Sequence, residues 1–537
     1  MKRINLRLVA LVTVCALLLS GCGVLDFAGY FKRLAGLFGP VAFENMEYTR
    51  PELSQLDEVL DNCLNSAADG DDLNELVGHI TTLNSIFNDF QTNYLLAYIH
   101  YSIDLTDTYW ETEYNYCAGH SSSVQAAADR LMYALADSEL RDELEAEEYF
   151  GAGYFDEYDG ESLWTEAFTA LMEQETALIN KYYELSSQAL AVEMYSEVYY
   201  SVYGKQMEDV FVQLIKLRQQ IAAEAGFDSY AEFAYDFYYS RDYTPAQTTA
   251  YLGDIRTELV PLYTKLDDLD VWEEGNRSCS EAQTYQYVEK MAAAMGGQID
   301  DAFRQMDSSG LYHISYGENK YNASFEVFLP NYMAPFVFMN PTMTSRDKLT
   351  FAHEFGHFCN DYASGGTTVG IDVAEFFSQG MEYLSLCYVD GASALVGLKM
   401  ADSLCVYVEQ AAFADFEEQV YRLSAQELTM ENIRTLYGKT TDAYGFGEYV
   451  DDRSYVTVGH FFTSPMYVIS YVVSNDAAMQ LYQMEMAEEG SGLNCYTGNL
   501  ATEQEGFLAF VKEAGLQSPF DPGRIQAVKD TLKKTLW

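Results

Sequence analysis

The chain has 537 residues, 49% of them hydrophobic, which is enough for a large buried core over about two to four domain-sized units and excludes a disordered protein. Its 82 acidic residues against 31 basic ones give a net charge of −51. That balance excludes nucleic acid as a partner, leaves no basic patch for anionic lipid, and is read as solubility and self-repulsion.

At the N-terminus, Lys2, Arg3 and Arg7 precede an uncharged apolar run over residues 8–19 and then small residues. This is the layout of a secretory leader over residues 1–21. Leu19-Ser20-Gly21-Cys22 is similar to the lipobox of bacterial lipoproteins, in which the cysteine thiol is diacylated and becomes the mature N-terminus. The run is too short for a membrane span, and no later segment is long and apolar enough to cross a bilayer. The expectation is an exported protein held on the outer face of the bacterial cell membrane by acyl chains at Cys22. Of nine cysteines, Cys15 falls in the leader and Cys22 is the lipidation site, which leaves an odd number without a CxxC pair and no disulfide framework. Cys63 with Cys117 is the one pairing considered; most of the rest are expected to be buried thiols.

Residues 22–48 mix Gly, Phe and Lys without periodicity and suit a tether. Leu53, Leu56, Leu60, Cys63 and Leu64, then Leu73, Leu76, Val77, Ile80, Leu83 and Phe87, recur at helical spacing. Further stripes over 124–148, 161–190 and 197–225, interrupted near 149–160, predict a nearly all-α N-terminal lobe over 49–200, with a second domain over 201–537. The period changes between 311 and 340, where LYHISY, ASFEVFL and PFVFM predict a small sheet with Gly317-Glu318-Asn319 as a turn. After Thr344 the pattern is helical to the end, broken by Asp521-Pro522-Gly523 before the last helix.

The chemistry sits just past the sheet. Residues 353–357 read HEFGH, an HExxH match. On a helix, positions four apart lie about 40° apart, so His353 and His357 face one way with Glu354 within about 100° of each. A catalytic zinc needs three protein ligands and an open position, and one helix supplies two of them without distortion. Thr344 with Asp347 is a candidate capping box to start that helix. With seven His in 537 residues, accidental HExxH matches are expected only about 0.01 times. Downstream, Asp372, Glu375, Gln379 and Glu382 fall within an arc of about 80° if helical, flanked by Val373, Phe376, Phe377, Met381 and Leu384. Glu375 is chosen as third ligand, with Asp372 and Glu382 as candidates to orient the histidine rings. Cys359 points away from both histidines and is rejected.

These residues carry a resemblance to the thimet oligopeptidase and oligopeptidase F family of zinc peptidases. HEFGH matches the family signature, and Gly366-Thr367-Thr368-Val369-Gly370-Ile371-Asp372-Val373-Ala374-Glu375 is similar to its G-T-x-V-x-x-D-x-x-E stretch, which supplies the third ligand. Ser378-Gln379 and Glu382 continue the pattern, while Phe377 stands where thimet-type members usually carry proline. Asn319 to Phe325 and Phe336 to Asn340 resemble the strands before the metal helix. His460-Phe461-Phe462 followed by Tyr467 and Tyr471 looks like the segment that hydrogen-bonds the reacting carbonyl, with the choice of tyrosine open.

The resemblance implies a mainly α, two-lobed peptidase with a small sheet beside the metal helix, one zinc ion per chain at the floor of a deep channel, and oligopeptide substrates. Zinc would acidify a water and polarise the scissile carbonyl, Glu354 would take the water proton and pass it to the leaving amine, and His460 with Tyr467 or Tyr471 would stabilise the oxyanion. A dipeptidyl carboxypeptidase or carboxypeptidase on the same scaffold, and a peptide-binding lipoprotein without turnover, are the competing readings. The sequence carries no reading of oligomeric state.

Overall fold

Helix-capping chemistry sets the boundaries of the N-terminal helices. Helix α1 (Leu56–Asp69), α2 (Leu73–Ile103) and α3 (Thr108–Ala136) pack on one another. The Asp72 carboxylate accepts from the backbone N–H groups of Asn74 and Glu75, and Asp107 from those of Tyr109 and Trp110, so each occupies donors a helix start leaves unpaired. A computed structural model describes residues 41–537 apart from 71, 147–148, 161–162, 190–191, 267–268, 270 and 368. The leader, Cys22 and most of the expected tether lie outside the described residues.

Two helices are longer than their stripes suggest. Helix α2 runs past Phe87 to Ile103 because Thr92 to Ala97 are buried on every side, which leaves no one-sided pattern to read. Helix α3 begins at Thr108, where Tyr109, Trp110, Tyr114 and Tyr116 alternate with acidic residues and mask the period. Cys63 and Cys117 are free, fully buried thiols, so the one disulfide considered is not formed.

The expected tether over 22–48 also changes at its end. The Phe43 N–H donates to the Ser309 carbonyl at 2.8 Å, its ring lies 4.2 Å from Phe336, and Met46 is buried. Residues 41–48 are therefore part of the packed body. Helix α4 (Glu166–Ala189) lies against α5 (Lys205–Glu224): Tyr182 stacks on Phe462 at 3.9 Å and Glu175 pairs with Arg218. The last helix of the lobe expected over 49–200 thus packs on the second half of the chain, and one continuous apolar core joins the two.

The sheet falls where the period changes. Strands β1 (Tyr312–Ile314), β2 (Ser324–Leu329) and β3 (Ala334–Met339) take the order β1-β3-β2, with β1 parallel and β2 antiparallel to β3. All six β3 residues are buried, as a strand covered on both faces requires. One face meets α2, where Tyr98 and Phe325 stack at 4.5 Å, and the other meets the helix that carries HEFGH.

After short α6 (Tyr230–Phe237), α7 (Glu281–Met295) and α8 (Gly297–Ser308), the site-bearing helices are α9 (Asp347–Ser364), α10 (Ile371–Tyr388) and α11 (Ser393–Cys405). They are followed by α12 (Ala411–Val420), α13 (Gly459–Thr463), α14 (Ile469–Ala487) and, after Asp521-Pro522-Gly523, α15 (Arg524–Leu536). Helix α10 lies between α9 and α14, and α14 is buried on nearly all sides. The start of α9 differs from a capping box. Its Asp347 carboxylate accepts from the N–H groups of Thr342 at 2.9 Å and Thr344 at 3.0 Å, while the Thr344 hydroxyl pairs with Thr342 instead of capping. The carboxylate half forms because Asp347 is itself the first helical residue and reaches back over the turn. No helix among the described residues is long and apolar enough to cross a membrane.

Candidate active site

Gly356, the fourth letter of HEFGH, explains how α9 and α10 come close enough to share a site. A Cβ at Gly356 would stand 2.5 Å from the Phe377 carbonyl oxygen and 2.7 Å from the Ser378 Cα. Only a residue without a side chain lets the two backbones touch there. The Phe377 carbonyl also accepts from the Tyr496 hydroxyl at 3.0 Å, which fixes α10 on its far side. Contact at Gly356 and Phe377 brings Glu375 opposite the two histidines.

His353, His357 and Glu375 form the one three-residue group of metal-type donors among the described residues, their ligand atoms all within 4.8 Å of one another. Nε2 of His353 is 3.4 Å and Nε2 of His357 is 4.0 Å from the same oxygen, Oε2 of Glu375. The histidine side chains are 15% and 14% exposed against 1% for Glu375, so the cluster opens on the histidine side. Glu375 is held by two neutral donors: Tyr467 gives its hydroxyl to Oε1 at 2.9 Å and Ser378 gives its hydroxyl to Oε2 at 2.9 Å. Two imidazoles and a carboxylate, with one side open, suit zinc in a three-ligand site. Glu354 stands beside them with both carboxylate oxygens buried and without a hydrogen-bond partner, so its polar atoms await a group that the cleft would bring.

The two residues expected to orient the rings part company. Glu382 lies 2.9 Å from His353 Nδ1 through Oε1. Asp372 reaches neither histidine: Tyr243 donates its hydroxyl to Asp372 Oδ2 at 2.7 Å, and Arg241 Nε lies 3.4 Å from the same atom. Position decides the difference. Glu382 follows Glu375 by two turns on the same face, whereas Asp372 sits in the first turn of α10 and faces the chain around Arg241. Gln379, on the same face, donates to the Tyr471 carbonyl at 3.3 Å.

Residues 460–471 form the opposite wall. The His460 and Tyr467 rings stack with centroids 5.3 Å apart, and the Tyr471 hydroxyl lies 3.5 Å from His460 Nε2. Two buried arginines hold this segment by its backbone. Arg218 donates to the Phe461 carbonyl at 2.9 Å and to that of Phe462, and Arg241 donates to the Met466 carbonyl at 2.9 Å and the Ser470 hydroxyl at 2.7 Å. The Met466 N–H donates to Glu417 of α12 at 2.9 Å, which fixes the left-handed turn at Met466 (φ 64°). Ser378 lies in the stretch that continues the family pattern, whereas nothing in the sequence analysis points to Arg218, Arg241, Glu417 or Lys399. For Lys399 alone a signal is present, a lone charge inside the apolar run Leu398-Lys399-Met400-Ala401.

Charge in the site is concentrated on few groups. Burial works against the His353 cation, but the Glu382 hydrogen bond and the charges of Glu375, Glu354 and Glu382 outweigh it and raise the ring to about 9. Burial pushes the Glu354 carboxyl up to about 8 against the pull of His353. Burial and then the His353 charge drive His357 well below its ordinary value. Burial would raise Glu382, yet Lys399 and His353 prevail and hold it below the usual carboxylate value.

Residues 43–161 match the family model of the Peptidase M3 N-terminal domain. Comparison with curated proteins finds no match. Solved structures share the fold: one provisionally assigned to oligoendopeptidase F is 21% identical with a TM-score of 0.81, covering 92% of this chain and 98% of its own. PZ peptidase A, solved with an inhibitor, is 20% identical with a TM-score of 0.80, covering 92% and 99%. Oligoendopeptidase F from Enterococcus faecium is 15% identical with a TM-score of 0.58, covering 90% and 96%. The N-terminal match and the shared fold agree with the family resemblance named from the sequence, and the mainly helical, two-lobed fold with a small sheet is the one expected.

Proposed function

We propose that this chain, which has the fold of the M3 peptidases, is a zinc-dependent endopeptidase acting on oligopeptides. The observation that carries the reading is the convergence of His353, His357 and Glu375 beside a Glu354 whose two carboxylate oxygens are buried and unpartnered. His353, His357 and Glu375 would hold one zinc ion, which when bound supplies Lewis-acid polarisation of a peptide carbonyl and a water of lowered pKa. Glu354 accepts the proton of the attacking water and delivers it to the departing amine; a carboxyl already displaced upward by burial is suited to both steps. His460 and Tyr471 donate to the oxyanion, and Tyr467 keeps Glu375 turned toward the histidines.

Glu354→Gln retains the size and hydrogen bonding of the side chain but removes the base. Peptide turnover is expected to fall by about 10² to 10⁴ while zinc content stays at one per chain. Undiminished turnover rejects Glu354 as the base. Absence of turnover in the wild type over a mixed peptide library favours a peptide-binding protein, and product masses that step from the C-terminus favour a carboxypeptidase. We further propose that the protein is exported and anchored through acylated Cys22; Cys22→Ala is expected to lose lipid labelling, and labelling that persists rejects the anchor.

A further inference from the structure

We propose that Lys399 is a positioning residue for the metal centre, acting through Glu382 to set the orientation of His353. The inference rests on the reading that His353, His357 and Glu375 bind zinc. Lys399 lies on α11 and is 3% exposed. Its Nζ donates to Glu382 Oε2 at 2.9 Å, and the other oxygen of the same carboxylate lies 2.9 Å from His353 Nδ1. One carboxylate therefore bridges a buried ammonium and a metal-site imidazole.

The bridge fixes the ring. With Oε2 held by Lys399, Oε1 of Glu382 is aimed at His353 Nδ1, which turns Nε2, the atom 3.4 Å from Glu375 Oε2, into the ligand cluster. Without the ammonium, Glu382 loses the partner at Oε2 that keeps Oε1 on Nδ1, and the imidazole loses its brace. Lys399 is itself held in place: its Nζ lies 4.5 Å from the Tyr383 ring centroid. Independently, Arg346 at the start of α9 binds both oxygens of Asp402 on α11 at 2.7 and 2.8 Å. Removing the ammonium thus leaves the docking of α11 on α9 intact. His357 has no comparable carboxylate among the described residues, so the device acts on one of the two histidines.

The test is zinc affinity, measured by competition with a chromophoric chelator on the full chain, which requires no peptide turnover. Lys399→Met is expected to weaken zinc by about tenfold or more, within the range for loss of an outer-shell partner. Lys399→Arg, which keeps a cation for Glu382, is expected to stay within about threefold of wild type. In a Glu382→Gln background, Lys399→Met is expected to cost nothing further, because its route to His353 is already cut. Unchanged affinity in Lys399→Met overturns the inference, and so does a loss equal in Lys399→Arg or undiminished in the Glu382→Gln background. Lys399→Gln, neutral but polar, makes the same comparison if the methionine variant does not fold. A wild-type chain that takes up no zinc overturns the proposed function itself, whereas zinc binding without peptide turnover rejects the peptidase and leaves this inference standing.

Discussion

On one side of the site, α9 and α10 meet through bare backbone at Gly356 and apolar side chains; on the other, residues 460–471 are held by Arg218 and Arg241. Regular helices satisfy their own backbone, so shape alone can set their spacing. The turn between α13 and α14 has carbonyls without helical partners, and a buried carbonyl must find a donor. Arginine suits this because its fixed fork of N–H groups serves several carbonyls at once. His353, His357 and Glu375 are therefore brought together by steric contact, and residues 460–471 by charge imported from elsewhere in the chain.

The comparison breaks most visibly at Arg218. Arg218→Met leaves Glu175 buried without its partner and strips donors from the Phe461 and Phe462 carbonyls. The expected cost is about 3 to 5 kcal/mol of stability, read as a lowered denaturation midpoint. A variant as stable as wild type would show that the tyrosine wall does not depend on this ion pair. Gly356→Ala attacks the other wall. Its Cβ forces the Phe377 backbone away, at an overpacking cost of about 1 to 3 kcal/mol, and separates Glu375 from the histidines. Zinc affinity is expected to fall more than His460-side contacts are disturbed, and retention of full affinity would sink the steric account.

The smallest effect sharpens the contrast between the two tyrosines. Tyr467→Phe removes the donor to Glu375 and is expected to weaken zinc by about tenfold, the low end for loss of a group that holds a ligand. Tyr471→Phe is expected to keep zinc and lose kcat. If both variants lose only kcat, Tyr467 acts on the substrate and not on the ligand.

What the sequence made legible follows the range of each interaction. HEFGH and the arc of Glu375, Gln379 and Glu382 are local patterns on single helices, and the structure brings Glu375 and Glu382 to the histidines along that arc. The strand segments announced themselves by a change of period. Asp372 was misplaced because the same arc carries it toward Arg241 and Tyr243, whose position depends on chain over a hundred residues away. Lys399 and the two arginines are tertiary partners with no fixed spacing from what they hold. Spacing could not assign the tyrosines either, since Tyr467 reaches Glu375 through a left-handed turn at Met466.

The long sequence separations within the tyrosine wall also set a timetable for assembly. Arg218 lies 243 residues from Phe461, and Glu375 lies 92 residues from Tyr467. A chain made from its N-terminus exposes both histidines and Glu375 well before Tyr467, the later donor to Glu375, exists. Such distant contacts close late and slowly, because a large loop must be ordered before they form. His353, His357 and Glu375 can thus gather before residues 460–471 are in place, so that a partly made chain would hold the three proposed metal ligands without the wall that faces them.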